Sequence, residues 1–448
     1  MSAIDNASGA NPAGAAAPLT GAARGYALLL LTAVFTVSWI DRQVLNILAE
    51  PIKRDLHLAD WQVGVMSGFA FALCYSTIGM PIARFSERSH RPRVIATAAV
   101  VWSIFTALCA TAQSFVQLVM FRVGVGIGEA GCTPPAHSLI MDYVPQEKRA
   151  SALSIYAMGV PMGALIGMAL GGAIADSHGW RAAFLWCGLP GVLLAILVAT
   201  TLYEPRRALP RHPAASSTPQ LNFAGTLSYL FRKRSFWLMS LAASFKAFIS
   251  YGHAPFTASY FYRVHGVEVA SMAAHFGLKS GSFLGLALGL IGGLGGMLGN
   301  WIGGALADPA ARTDQRAYAA VPAIATLLVV PLWIGVYLAP DARLALLLLA
   351  PASILASVWS GPTHAAILSL APANMRTTTS SILLFMLNGI GLGLGPLCVG
   401  ALSDVIAGPL GYGGAEGVRW ALIAASLVGL AVAATFWAAR KTLRDDIV

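Results

Sequence analysis

Apolar runs of about 20 residues or more recur along this chain of 448 residues, with short polar breaks between them. A helix of that length crosses the roughly 30 Å hydrocarbon core of a bilayer and satisfies its own backbone hydrogen bonds there. Soluble proteins contain about 25% charged residues, whereas this chain is 11% charged and 57% hydrophobic. We therefore expect an all-α membrane protein. Twelve transmembrane helices are predicted, at residues 24–51, 61–84, 93–113, 116–142, 150–174, 181–203, 236–262, 279–306, 317–338, 343–367, 377–402 and 418–439.

The longest polar break divides these helices into two groups of six. Residues 204–235, which contain several Arg and Pro residues, are expected to link an N-terminal bundle (24–203) to a C-terminal bundle (236–439). Residues 1–23 lack the cationic and apolar regions of a signal peptide and are expected to form a disordered cytoplasmic tail. A second cytoplasmic tail is expected at 440–448.

The basic residues indicate the orientation in the membrane. With the N-terminus inside, most of the 29 Lys and Arg residues fall in inner loops, as the positive-inside rule requires. We therefore expect a multi-pass protein of the plasma (inner) membrane with both termini in the cytoplasm. The net charge of +10 follows from this topology, so nucleic-acid binding is not expected.

Two short sequences recur at a distance of about half the chain. Pro145-Gln-Glu-Lys-Arg149 has a counterpart in Pro372-Ala-Asn-Met-Arg376, and Gly171-Gly-Ala-Ile-Ala-Asp176 has one in Gly400-Ala-Leu-Ser-Asp404. Because both pairs lie at matching places in the predicted topology, they indicate an internal duplication. Two pseudo-symmetric six-helix bundles are a known plan of secondary transporters.

Glycines follow each other at every fourth residue on the predicted fifth and eighth helices. Residues four apart share one helix face, so such a row forms a groove that another backbone can approach closely. We expect these two faces to meet between the bundles. The rows are Gly159, Gly163, Gly167 and Gly171, and Gly281, Gly285, Gly289 and Gly293.

Five charged residues lie inside predicted helices: Asp41, Arg42, Arg122, Glu129 and Lys246. Each costs about 2.5–3.5 kcal/mol near the bilayer centre, so each marks a candidate functional position. Arg122 and Glu129 are two helical turns apart and share a face. Asp41 and Arg42 are adjacent, so both can face the interior only if the site is wide or hydrated.

A buried carboxylate can gain a proton when the neighbouring cation finds another partner. Asp41 and Glu129 are therefore predicted proton-coupling residues. Arg42, Arg122 and Lys246 are predicted charge partners that bind an anionic group of the substrate. The alternative is an ion-pair network that only fixes the register of the helices.

The loop after the second predicted helix resembles a family motif. The segment from Ala83 to Arg93 is similar to the G-x-x-x-D-R-x-G-R-R cytoplasmic loop of the major facilitator superfamily, with departures at Ala83, Glu87 and His90. Arg122-Val-Gly-Val-Gly126 resembles the R-x-x-x-G element of the fourth helix in that family.

Within that superfamily, Ser38-Trp-Ile-Asp-Arg42 together with Arg122 and Gly128-Glu-Ala130 looks most like the Spinster branch. That branch is associated in animals with export of sphingosine-1-phosphate and lysolipids. The resemblance implies the major facilitator fold, in which helices 1, 4, 7 and 10 line a cavity and helices 2, 5, 8 and 11 join the halves. It also implies that Glu87, Arg88 and Arg149 form a cytoplasmic gate.

The leading hypothesis is a proton-coupled secondary active transporter that moves an amphipathic, anionic, lipid-like substrate by alternating access. The alternative is a proton-coupled carrier of small organic anions or drugs, and saturable, gradient-dependent flux would distinguish either from a channel. An enzyme is not expected, since the chain contains neither H-E-x-x-H nor G-x-S-x-G. No cofactor or metal is expected, and the five cysteines show no C-x-x-C spacing. The expected partners are protons, the substrate and membrane lipids, and the protein is expected to be a monomer.

Overall fold

The computed structural model describes residues 21–145, 148–205, 223–372 and 375–446, and this part of the chain is helical without strands. The helices of the first half are α1 (Gly21–Leu56), α2 (Asp60–Gly64), α3 (Ala70–Arg88), α4 (Arg91–Cys109), α5 (Phe115–Ala130), α6 (Thr133–Tyr143), α7 (Arg149–Ala157) and α8 (Gly159–Thr201). Those of the second half are α9 (Phe223–Phe231), α10 (Arg234–Val264), α11 (Gly266–His275), α12 (Ser280–Thr313), α13 (Ala317–Leu338), α14 (Ala342–Ser357), α15 (Ser360–Ser369), α16 (Arg376–Met386), α17 (Gly395–Ala407) and α18 (Gly413–Asp446). Two π-helical turns continue these elements, π1 (Val65–Phe69) between α2 and α3 and π2 (Leu387–Leu394) between α16 and α17.

Ten stretches of the described residues are long and apolar enough to cross a membrane. One of them, Ser151–Thr201, has 51 residues but bends at Gly179, whose φ of 85° and ψ of 164° interrupt the helix. A side chain at this position would strain a backbone that glycine adopts freely. The predicted span 236–262 lies in α10, which is helical but is not among the ten. The all-helical membrane fold is confirmed, while the count of twelve stays a prediction.

The internal duplication is visible in matching details of the two halves. The predicted fourth helix is broken between α5 and α6, and the predicted tenth is broken between α14 and α15. In the loops that follow, Arg149 Nε donates a hydrogen bond to the carbonyl oxygen of Val144, and Arg376 Nε donates one to that of Ala371. Both arginines therefore cap the end of the helix before them, in the way that cations commonly cap helix C-termini.

The glycine rows divide between two kinds of interface. The row on α12 faces α8 across the halves, where a Cβ on Gly285 would collide with the backbone of Met168. The row on α8 instead packs on α1 of its own half, with Gly163 against Trp39. Only the α12 row therefore meets the other bundle as expected. On α8 the neighbouring Gly172 makes the cross-half approach, to Gly281.

The predicted tails and linker are only partly described. Residues 1–20, 206–222, 447 and 448 lie outside the described residues, so the predicted tail 1–23, tail 440–448 and linker 204–235 stay predictions.

Candidate functional site

Four of the five predicted interior charges come together where α1 meets α5. Arg42 Nε lies 2.6 Å from Glu129 Oε2, and its second nitrogen, Nη2, also lies 2.6 Å from that oxygen. Ser38 Oγ donates a third hydrogen bond to the same oxygen at 2.8 Å. Glu129 Oε1 is buried and has no hydrogen-bond partner within the described residues. Oε2 of this carboxylate thus accepts all of its observed hydrogen bonds, whereas Oε1 accepts none from the described residues.

Asp41 and Arg122 complete this group but do not pair by hydrogen bonds. Asp41 is 0% exposed; Oδ2 accepts a hydrogen bond from Thr106 Oγ1 on α4 at 3.1 Å, and Oδ1 has no partner in the described part of the chain. Arg122 is buried, and its Nε and Nη1 likewise lack partners there. We call Ser38, Asp41, Arg42, Thr106, Arg122 and Glu129 the interior cluster.

An aromatic ring lies between the two arginines of the interior cluster. The guanidinium carbon of Arg42 is 4.5 Å from the ring centre of Phe71, and that of Arg122 is 5.7 Å from the same centre. Trp39 and Tyr75 each lie 5.0 Å from the Arg42 guanidinium. Cation–π attraction stabilises these positions when they are removed from water. Phe71 was not predicted from the sequence, because an apolar residue in an apolar run carries no signal.

Both halves line a small central cavity beside the interior cluster. Its volume of about 40 Å³ is room for about three waters. The first half contributes Arg42 and Arg122, and the second contributes Tyr251 of α10. The full lining is Trp39, Arg42, Gln43, Asn46, Ser67, Phe71, Arg122, Tyr251, Ala254, Pro255, Leu392 and Pro396. Ser67 lies in π1 and Leu392 in π2, and π-helical turns are frequent at functional sites.

The fifth charge, Lys246, lies on a different face of its helix from the residues that line the cavity. Lys246 and His253 are two turns apart on α10 and so share a face. His253 packs on Trp333 of α13, with ring centres 4.5 Å apart, and its Nε2 lies 3.3 Å from the carbonyl oxygen of Leu422 on α18. Lys246 is 1% exposed, and no hydrogen bond or ion pair joins its Nζ to another of the described residues. It therefore faces the interior of the second bundle rather than the interior cluster.

The predicted cytoplasmic gate is only partly described. Glu87 and Arg88 lie in the last turn of α3, and their side chains are outside the described residues. Arg149 bonds to the carbonyl oxygen of Val144 in its own half. The nearby Arg91 is 1% exposed and binds Glu204, Asp142 and Ser138. Nothing in the sequence distinguishes it from the other arginines of this basic loop.

A second group of charges, which the sequence did not single out, joins the halves at the predicted outer side. Arg263 donates two hydrogen bonds of 2.8 Å to the two oxygens of Asp60, and its Nε donates one of 2.8 Å to Glu50. Asp60 also accepts from Lys53 at 2.5 Å and from Ser403 at 2.6 Å. We call Glu50, Lys53, Asp60, Arg263 and Ser403 the outer network. Its signal in the sequence was weak, because these residues lie at helix ends where charges are common.

Two aspartates at equivalent places of the duplication cap helices of the opposite half. Asp404 accepts hydrogen bonds from the backbone N–H groups of Asp60 and Trp61 at 2.9 and 2.8 Å, at the start of α2. Asp176 accepts from the N–H groups of Gly281 and Ser282 at 3.2 and 2.5 Å, at the start of α12. A carboxylate at a helix N-terminus satisfies free N–H groups and opposes the positive end of the helix dipole. The repeat identified both aspartates, but not their partners.

No group of three or more His, Cys, Asp and Glu side chains that could hold a metal ion occurs among the residues that the structure describes.

Comparison with known proteins places this geometry in a family. The family model described as Major Facilitator Superfamily matches residues 31–396. An MFS-type efflux pump of Mycolicibacterium smegmatis is 33% identical over 423 residues, which is 94% of this chain and 93% of that protein. Protein spinster homolog 1 of Rattus norvegicus is 26% identical over 239 residues, 52% of this chain and 45% of that protein. The crystal structure of a bacterial homologue of the human lysosomal transporter Spinster, inward-facing and unoccupied, superimposes with a TM-score of 0.85 at 30% identity over 96% of this chain and 99% of that one.

Proposed function

The chain belongs to the Major Facilitator Superfamily of membrane transporters, and from that premise we propose that it is a proton-coupled carrier of an amphipathic anion. It is a Spinster-like transporter and not an enzyme. The proposal includes a location in the plasma (inner) membrane, two cytoplasmic termini and a monomeric protein.

One observation carries the proposal: the Arg42–Glu129 pair lies beside a cavity that both halves line, and the pair is incompletely coordinated. Glu129 Oε1 is open to a proton, and Arg42 retains 18% side-chain exposure towards the cavity. When Glu129 takes up a proton, its attraction for Arg42 falls, and the guanidinium becomes available to an anionic group. A substrate that binds Arg42 and a proton that binds Glu129 then support each other.

The charge balance of the interior cluster favours an anionic cargo. Two carboxylates and two guanidinium groups cancel when all are ionised, whereas protonation of Glu129 leaves an excess positive charge. Arg122, whose Nε and Nη1 have no partner within the described residues, is the second cation available to the cargo. Asp41 is fully buried and its Oδ1 has no hydrogen-bond partner within the described residues, so Asp41 can serve as the second protonation site.

Alternating access requires that one side of the cavity be closed while the other opens. Asp60, Arg263 and Asp404 tie the halves together at the predicted outer side. A solved structure similar to this chain, that of a bacterial Spinster homologue, is inward-facing. These observations support an inward-facing state here, in which the outer network is the closed gate. In the outward-facing state, we expect Glu87, Arg88 and Arg149 to contribute to closure on the cytoplasmic side.

Two kinds of cargo match the chemistry of the site. Trp39 and Tyr251 line the cavity beside the arginines, which suits an anion with an apolar tail, and the relatives include spinster homolog 1. The second candidate is a small organic anion or drug, which the similarity to an MFS-type efflux pump favours. In either case the cavity must widen, because ligand sites have volumes of about 300–1,000 Å³.

The decisive experiment is flux into vesicles that contain the purified protein, with a pH gradient imposed across the membrane. The wild type is expected to move an anionic lysolipid in a saturable manner that depends on the gradient. The Glu129→Gln variant keeps an acceptor for Arg42 but cannot ionise, so flux should become independent of the gradient. Asp55→Asn, which alters a surface ion pair with Arg181, is the matched control and should behave as the wild type.

Full gradient-driven flux in Glu129→Gln would refute the coupling site. A parallel panel of lysolipids, short dicarboxylates and cationic drugs separates the two kinds of cargo. Transport of the short anions without the lysolipid would favour the second candidate.

A further inference from the structure

A long groove opens on the first half, separate from the central cavity. It lies between α3, α4 and α5, has a volume of about 520 Å³ and shares no lining residue with the central cavity. Its wall is apolar, with Ile82 and Phe85 from α3, Val94 and Val101 from α4, and Ile127 from α5. Small-molecule sites typically have volumes of about 300–1,000 Å³, so this groove is large enough for a ligand.

The groove has a cationic end. Arg93 lines it at the first turn of α4 and is exposed; its backbone N–H donates to His90 Nδ1, but its guanidinium has no hydrogen-bond or ion-pair partner in the described part of the chain. The contrast with Arg91, two residues earlier, is sharp, since that side chain is buried and held by Glu204 and Asp142. Arg93 is therefore a cation at this end that remains available to an external anion.

The length of the groove matches one leaflet of a bilayer. Its wall along α4 extends from Arg93 to Val101, eight residues or about 12 Å of helix. The hydrocarbon of one leaflet is about 15 Å deep, half of the roughly 30 Å core. An acyl chain in the groove would thus place its headgroup beside Arg93, at the predicted inner surface.

We propose that this groove binds one acyl chain of an anionic phospholipid of the inner leaflet, with the lipid phosphate held by Arg93. The apolar wall selects a hydrocarbon chain and the arginine selects a negative headgroup. The site lies on the back of α5, next to Gly128, whereas the interior cluster uses Glu129 on the same helix. A bound lipid would fill the space behind the helix that carries the interior cluster. This site is independent of the cargo and of proton coupling.

Native mass spectrometry of the detergent-purified protein tests the proposal, with phosphatidylglycerol and phosphatidylcholine titrated separately. The wild type is expected to retain one phosphatidylglycerol in preference to phosphatidylcholine. Arg93→Gln should weaken phosphatidylglycerol binding about fivefold, the effect of one arginine at an anionic membrane surface. The matched control is Arg312→Gln, which removes another exposed arginine of the predicted inner side and should leave binding unchanged.

A second variant tests the groove itself. Thr97 lines the groove and is exposed, so Thr97→Trp fills the groove without disturbing a buried position. It should abolish retention of the lipid while the elution volume on size exclusion stays that of the wild type. If Thr97→Trp fails to fold, the smaller Thr97→Phe is measured in its place.

Three outcomes would overturn the proposal. Equal weakening by Arg93→Gln and Arg312→Gln would show a diffuse effect of positive charge. Unchanged retention in the Thr97 variants would show that the acyl chain lies elsewhere. Equal binding of phosphatidylcholine and phosphatidylglycerol by the wild type would exclude recognition of the phosphate charge by Arg93.

Discussion

Glu129 and Asp60 are both carboxylates with 1% exposure, but their surroundings differ. Both oxygens of Asp60 accept charged hydrogen bonds, and the donors come from both halves of the molecule. Glu129 receives its donors, Arg42 and Ser38, from its own half, and its Oε1 has no hydrogen-bond partner among the residues that the structure describes. The arrangement around Asp60 joins the two halves of the molecule. The arrangement around Glu129 leaves one oxygen able to accept a proton, and the Arg42 guanidinium could then change partner. We therefore propose that one buried carboxylate, Asp60, serves closure and that the other, Glu129, serves proton coupling.

The largest expected effect comes from removing the cation of the outer network. Arg263→Met leaves Glu50 and Asp60 buried without their shared partner, and breaking a buried ion pair in this way costs about 3–5 kcal/mol. We expect the outer side to open. A cysteine introduced at the buried Leu58 should then react with a water-soluble maleimide. The control is Arg54→Met, which removes a 64% exposed partner of Glu50 and should leave Leu58→Cys protected.

A protected cysteine in Arg263→Met would mean that the Asp404 cap, the Ser403 hydrogen bond and the glycine packing close the outer side without Arg263, and Asp60 would not owe its role in closure to its ion pair with Arg263.

The next largest effect is expected in the interior cluster. Arg122→Gln removes a guanidinium of which two nitrogens have no partner within the described part of the chain, so the melting temperature should fall little or even rise. The affinity for an anionic cargo should fall about 10- to 100-fold, because a charged hydrogen bond contributes about 1.5–3 kcal/mol. Calorimetric measurement of ligand binding, together with thermal unfolding, distinguishes a cargo-binding role of Arg122 from a packing role. A large loss of stability with unchanged affinity would make Arg122 a packing residue.

An intermediate effect is expected from the glycine face between the halves. Gly285→Ala places a methyl group against the backbone of Met168, and overpacking of this kind costs about 1–3 kcal/mol. Gly292 on the same helix has open space at its Cβ position, so Gly292→Ala is a matched control that should be neutral or stabilising. Thermal unfolding of both variants in one detergent measures the difference. Equal melting temperatures would show that α12 does not approach α8 this closely in solution.

The smallest effect is expected from the two helix caps. Asp176→Asn and Asp404→Asn each weaken one cap between the halves, and loss of an N-cap costs about 0.5–2 kcal/mol. Because the caps lie at pseudo-symmetric places, we expect similar losses of thermal stability, and the double variant should show about their sum. Strongly unequal losses would indicate that the outer side depends mainly on one cap.

The interior cluster shows how far the sequence leads. Asp41, Arg42, Arg122 and Glu129 were identified as a group because a charge within an apolar run is costly wherever it lies. The same reasoning selected Lys246, which the structure places on the face of α10 that turns away from the cavity. Because α10 is buried on several sides, its sequence has no distinct polar face. The sequence therefore does not show which side of α10 faces the cavity.

The sequence by itself determined that the chain forms apolar helices suited to a membrane, that its two halves are duplicated and that charged residues lie within these helices. These follow from hydropathy and spacing, which are local properties of the chain. Only the tertiary structure decided that Arg42 rather than Arg122 binds Glu129, that Arg263 holds Asp60, and that Asp404 caps α2. Such pairs depend on the rotation and crossing of helices that are far apart in the chain. A hydrogen bond forms only when donor and acceptor lie within about 3 Å of each other, and the spacing of residues in the sequence does not determine that distance.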